Sequence, residues 1–222
     1  MKRQFDLRSR LREATHEAHE RMHRHAGFGA AAAGHLDADA YRDLLARLYG
    51  FHRAFDAGFS EAPAEMAAAI HLPLRARSAH LRRDLNSLGV RENLGALPIC
   101  DELPERDTEA RWLGALYVTE GSTLGGAQIS RALARGGIAD DQRGFFEAYG
   151  ERRSEMWRLY LERLERLADD GDAAAAEAED AARAVFEVFE RWMRDWEGAA
   201  LSAHRETAAS RCDRTARCPS LA

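Results

Sequence analysis

Lysine is almost missing from this chain of 222 residues: Lys2 is the only one, so nearly all the positive charge is arginine. Any anion-binding site must therefore use guanidinium groups, which suit bidentate pairing with carboxylates or phosphates. Cysteine is scarce as well. Cys100, Cys212 and Cys218 are odd in number and widely spaced, which is not a disulfide framework. Cys212 and Cys218 also lack zinc-site spacing and partners. No stretch approaches the roughly 20 apolar residues of a membrane span, and the first residues lack a signal-peptide apolar core. The expected location is the cytoplasm, with no membrane partner. The net charge of −5 comes without a basic stripe, so nucleic acid is not an expected partner. Only five prolines are present, and alanine, leucine, arginine and glutamate dominate. That composition favours helices over strands and predicts an all-α chain.

The apolar spacing supports that class. Leu7, Leu11, Ala14, Ala18 and Met22 recur at helical intervals, predicting a first helix that ends before Gly27 or Gly29. Asp37 or Asp39 can cap a second helix, with Tyr41, Leu44, Leu45, Leu48, Phe51, His52 and Phe55 buried. A third is predicted over Glu65 to Leu88, kinked or restarted at Pro73. Gly89 to Pro104 reads as a loop. Asp107 and Thr108 can cap a long helix reaching about Ala134, stopped by Gly136-Gly137. Another is predicted from Asp140 and Asp141 through Phe145, Tyr149, Met156, Trp157, Tyr160 and Leu164. Val185, Phe189, Trp192 and Trp196 form the core stripe of a last helix. Residues 1–200 are expected to form one helical domain, and residues 201–222 a polar, disordered tail.

Two segments carry chemistry. In the first, Arg12 and His19 are seven apart, so they differ by only about 20° around a helix and share a face. His16 and His23 flank His19 on that face. Imidazole is a good iron ligand. Two other readings stand beside this one: the histidines are simply solvated, or Glu13 with His16 and Glu20 with His23 form Glu-x-x-His units of a di-iron bundle. No other Glu-x-x-His unit occurs in the chain.

The second segment places Gly114, Gly121, Gly125 and Gly126 inside a predicted helix. Each glycine there costs about 1 kcal/mol relative to alanine, so something must offset the sum. Gly121 and Gly125 share a face on which bare backbone can approach a flat ligand. Close helix–helix crossing through small residues is the other reading. Ser122 and Thr123 add hydroxyls able to bond backbone or water. No phosphate loop, nicotinamide or flavin fingerprint or iron–sulfur cysteine cluster is present.

Taken together these segments resemble the heme oxygenase family, most closely its bacterial biliverdin-producing branch associated with phytochromes. The likeness is carried by Leu11-Arg12-Glu13-Ala14-Thr15, by His19, and by Leu116-Tyr117-Val118-Thr119-Glu120-Gly121-Ser122-Thr123-Leu124-Gly125-Gly126. It covers most of residues 5 to 196. The resemblance implies a single-domain helical fold with heme between a proximal and a distal helix. It implies that His19 ligates the iron, that Gly121 and Gly125 lie over the other heme face, and that Arg12, Tyr117 and Arg158 serve the propionates. Phe186 is implied as a pocket aromatic, beside an equally open core role. Oxidative cleavage of heme to biliverdin, iron and carbon monoxide is the implied activity; non-catalytic heme binding, transfer or sensing is the alternative. An electron donor such as a ferredoxin or a flavin reductase is implied, and a phytochrome as receiver of biliverdin. Two positions distinguish this chain. His23 stands where many relatives carry a carboxylate four residues after the ligand. Ser122 stands where the animal branch has a water-organising aspartate, so proton delivery is expected through ordered water held by backbone and hydroxyl groups.

Overall fold

The computed structural model describes residues 6–90, 94–194 and 196. Among these, eight α-helices and no strand are present. They are α1 (Leu7–Arg24), α2 (Ala26–Ala33), α3 (Ala38–Ala57), α4 (Ala64–Ala69), α5 (Ser78–Ser87), α6 (Glu109–Arg135), α7 (Arg153–Leu167) and α8 (Asp172–Met193). The expected all-α architecture is the one observed. The expected tail at residues 201–222 lies outside the described residues.

Local chemistry sets the helix ends. Asp6 accepts the Ser9 N–H at 3.2 Å and starts α1. Asp37 accepts from Ala40 at 2.7 Å and starts α3. Thr108 accepts from Arg111 at 3.2 Å and starts α6. The Gly136-Gly137 stop also holds, with Gly137 in the left-handed region at φ 90°.

Two expected helices are broken, and both breaks have tertiary causes. Residues 65–88 do not form one helix. α4 ends at Ala69, a short 3₁₀ turn covers Leu72–Arg75, and α5 begins at Ser78. His71 takes a left-handed conformation at φ 53° just before Pro73. The break delivers Arg75 into the interior, where its Nε donates to the Ile70 carbonyl at 2.7 Å and its Nη2 to the Met156 carbonyl at 2.9 Å. The helix expected from Asp140 likewise begins only at Arg153, after a 3₁₀ turn over Asp140–Gln142 and irregular backbone. There the Asp84 carboxylate of α5 accepts the N–H groups of Gly144 and Phe145 at 3.1 and 2.8 Å, in place of helical carbonyls. Trp196, expected in the last helix, lies beyond its end and is nonetheless fully buried.

α8 is the floor of the molecule. Along it, α1 runs in the same direction: Arg10 pairs with Glu179 at 2.5 Å and Arg21 with Glu190 at 2.6 Å. α6 packs across the same helix, α7 closes one side, and α3 with α5 completes the far side. One apolar core joins Leu7, Leu11, Trp112, Leu113, Tyr160 and Val185. A second joins Tyr41, Leu44, Leu45, Leu81, Phe145 and Trp196.

Asp84 generates a pH prediction. Burial pushes its carboxyl up to about 6 from an ordinary 3.8, against the pull of its two backbone N–H donors. Between these values the folded chain binds a proton that the unfolded chain has released, so this group makes stability fall as pH rises. Urea unfolding of the wild type and Asp84→Asn from pH 4 to 7 is expected to show it. The wild type should lose stability relative to the variant as pH rises through this window, and then run parallel to it.

Candidate functional site

α1 is amphipathic in the strict sense. Leu7, Leu11, Thr15 and Ala18 are buried, while Arg12, His16, His19 and His23 lie on the exposed side. The His19 side chain is 57% exposed. Desolvation by the helix, and next the neighbouring His23, hold its imidazole below the usual range. At neutral pH it is therefore uncharged with a free lone pair, the form a metal requires. The His23 ring meets it edge to face, with centroids 4.4 Å apart.

α6 faces this row. The Tyr117 hydroxyl of α6 reaches Thr15, close to Arg8 and Arg12, and burial raises its pKa so that it remains a donor. At the other end α2 packs on α6: Gly34, in the left-handed region, lies so close that a methyl on it would be 2.2 Å from the Ala132 carbonyl. The α1–α2 segment thus meets α6 near Tyr117 and again near Ala132. Along the sequence His16, His19 and His23 follow Thr15, and Gly121 and Gly125 follow Tyr117.

The glycines of α6 divide sharply. A methyl at Gly114 would sit 2.0 Å from the Ala178 carbonyl oxygen of α8, and one at Gly126 would sit 2.4 Å from that of Phe146. These two are close-crossing glycines. At Gly121 and Gly125 an added methyl meets nothing within 4 Å. No packing accounts for them; they border open space, beside Leu124, which is 48% exposed. The close-crossing reading of the glycine pattern is realised at Gly114 and Gly126, while Gly121 and Gly125 stay open, as the ligand-approach reading requires.

The remaining expected residues distribute as follows. Arg12 lies near enough to Tyr117 to act on it electrostatically. Arg158 lines a groove with Arg8, Trp157 and Arg166, and it pairs with Glu162 at 2.5 Å. Phe186 is nearly buried on α8 and belongs to neither apolar core cluster. The Ser122 hydroxyl donates to the Thr119 carbonyl at 2.7 Å and keeps its lone pairs free. The Glu-x-x-His units gather no further ligands; among the described residues no group of three or more histidine, cysteine, aspartate or glutamate side chains is placed to hold a metal ion.

Sequence reasoning missed a buried polar network behind α6. Glu120, one residue before Gly121, is 1% exposed and forms an ion pair with the equally buried Arg75. Tyr149 donates to it at 2.8 Å. Burial raises the Glu120 carboxyl, and Arg75 pulls the other way. Arg77 is buried beside them, donating to the Phe145 carbonyl at 2.7 Å and stacking on its ring. Its Nε and Nη1, together with His52 Nδ1, Asp56 Oδ1 and Arg153 Nε, find no protein partner among the described residues. Such groups take internal water as their partner. Glu120 carried a readable signal, since it falls one helical turn beyond Leu116 on the apolar side. Arg75 and Arg77 carried none, because nothing local distinguishes them from surface arginines.

A family model described as heme oxygenase matches residues 5–195. The chain belongs to the heme oxygenase family. A curated relative, a heme oxygenase of Xanthomonas campestris pv. campestris (strain 8004), is 37% identical over 109 residues. That match covers 48% of this chain and 60% of the relative, so the chain spans less than two thirds of that heme oxygenase. Among solved structures, heme oxygenase-1 of the cyanobacterium Synechocystis sp. PCC6803 in complex with heme shares the fold at a TM-score of 0.72 and 17% identity. That likeness covers 93% of this chain and 99% of the cyanobacterial one. Among the described residues no helix is long and apolar enough to cross a membrane.

The divided glycines give a paired prediction for urea unfolding of the ligand-free heme oxygenase chain. Gly114→Ala forces α6 from α8 and is expected to cost about 1–3 kcal/mol or more. Gly121→Ala and Gly125→Ala replace a poor helix former in open space and are expected to leave stability equal or raise it by up to about 1 kcal/mol each. The network predicts a third outcome. Glu120→Ala strands Arg75 and is expected to cost about 3–5 kcal/mol, while the double replacement Arg75→Met/Glu120→Leu recovers most of it.

Proposed function

We propose that this chain binds heme between α1 and α6 and opens the ring oxidatively to biliverdin, with release of iron and carbon monoxide. The observation that carries this reading is the open space at Gly121 and Gly125, on a helix whose other interior glycines are closed against backbone. Family membership supplies the reaction class, and the neutral, exposed His19 supplies an iron ligand.

Bound heme supplies the iron at which oxygen is reduced and the ring carbon that is oxidised. The chain's own residues supply the rest. His19 would hold the iron through an imidazole nitrogen. Gly121 and Gly125 would let α6 backbone come close to the bound group. Arg12, Tyr117 and Arg158 would hold its carboxylates, by charge and by the phenolic donor, and so orient it. Phe186 lines the floor. Ser122 would accept from water through its free lone pairs, and the unpartnered polar atoms of Arg77, His52 and Asp56 would give water further anchors behind α6. Electrons come from an external donor such as a ferredoxin or a flavin reductase. The biliverdin-producing branch this chain resembles adds a phytochrome as receiver, and the cytoplasm as the place of work.

Hemin titration of the purified protein tests the reading directly. A saturable Soret band is expected, lost or shifted in His19→Ala and weakened at least about tenfold in Gly125→Leu, whose side chain fills the gap at a cost of about 1.4 kcal/mol or more per tenfold. Addition of a ferredoxin reducing system in air, with catalase present, is expected to replace that band by biliverdin absorption. Binding without biliverdin would reassign the chain to heme carriage or sensing; absence of specific binding would overturn the heme reading.

A further inference from the structure

His23 has no assigned part in the site, yet it is poised for one. It lies four residues after His19 on the solvent side of α1, one helical turn away. The two rings already touch edge to face at 4.4 Å, with planes 72° apart. Paired imidazoles at this spacing on one helix face are a recurring chelate for transition-metal ions. The backbone beneath them is held. α1 is buried along its opposite side and fastened to α8 by the Arg10–Glu179 and Arg21–Glu190 pairs before and within this stretch. No carboxylate claims His19, since the nearest, that of Glu20, stands 4.0 Å from Nδ1.

We propose that His19 and His23 together chelate a free divalent transition-metal ion in the heme-free protein, and that this ion and heme exclude one another at His19. The donor set is two imidazole nitrogens. Among the described residues no third histidine, cysteine, aspartate or glutamate completes a cage, so water fills the other positions. Two imidazoles select the borderline ions, with Cu2+ above Ni2+ and Zn2+ and Fe2+ below them. Mg2+ and Ca2+, which require oxygen ligands, are excluded. The ion shares the open α1 face with the ligand of the proposed function, so occupancy by one removes the lone pair needed by the other. Ferrous iron, the product of the reaction under that reading, is the weakest of these four ions and leaves readily. Copper or zinc in excess stays and holds the chain in a heme-free state. The exclusion rests on the heme reading; the chelate does not.

The test uses the full-length heme-free protein and CuCl2, followed by electron paramagnetic resonance. One site with two imidazole nitrogens in its hyperfine pattern is expected. His23→Ala and His19→Ala should each reduce it to one nitrogen and weaken it on the order of 100-fold, the loss expected when one arm of a bidentate contact is removed. Both side chains are exposed, so both variants retain the fold, checked by circular dichroism. In a second arm ZnCl2 is titrated against hemin. Zinc should weaken apparent hemin affinity in the wild type and leave that of His23→Ala unaltered. A copper spectrum unchanged by His23→Ala would overturn the chelate. Zinc without effect on hemin would overturn the exclusion. A protein that takes Cu2+ at the pair but no hemin would end both the heme reading and the exclusion while the chelate stands.

Discussion

The buried ion pair between Arg75 and Glu120 is the constraint to which the rest of the structure conforms. Placing two charges where each is about 1% exposed costs several kcal/mol per ion unless every remaining donor and acceptor is met. Here they are met by breaking regular structure. Helix is interrupted at Pro73 so that Arg75 can reach Ile70 and Met156, and Tyr149 takes a left-handed backbone at φ 67° while donating to Glu120. The same pair fixes the rotation of α6 about its axis. With Glu120 held inward, Gly121 and Gly125 stay on the open side of the helix.

α6 thus does two unlike jobs with one residue type. Gly114 and Gly126 let it sit against the backbone of α8 and of the Phe145-Phe146 turn, and that packing offsets the helix-propensity cost there. Gly121 and Gly125 receive no such return within the protein. A position that costs stability and gains no contact is where function is expected to be found. The distinction depends on what stands opposite each glycine, a tertiary fact that identical residues in one helix do not announce.

That marks the boundary of what the sequence made legible. Helix class, most caps and the long α6 followed from local rules, because Asp37, Thr108 and Gly136-Gly137 act on backbone groups a few residues away. The shared helical faces of the α1 histidines and of Gly121 with Gly125 were legible too, since both follow from spacing alone. The broken helices were not. Asp84 takes the N–H groups of Gly144 and Phe145 from sixty residues away, and no local pattern encodes a partner at that separation. The interior arginines escaped for the same reason: Arg75 and Arg77 become buried only because Glu120, Phe145 and Met156 converge on them.

The two walls of the gap are held by different means, and this bears on how a ligand is received. α1 is tied to α8 by partly exposed ion pairs, individually weak and screened by salt. α6 is tied by buried charge and by backbone contact at Gly114. Both helices are further anchored by apolar burial, α1 through Leu7 and Leu11 and α6 through Leu113 and Ala115. A ligand entering such a gap orders little that is not already ordered, so little of its binding energy is spent on the protein. It also covers apolar surface left open in its absence: Leu124 is about half exposed beside Gly125, and covering a side chain of that size contributes about 1.5–3 kcal/mol when complete. Under the proposed function, such a ligand would be received without forcing α6 off the pair that orients it.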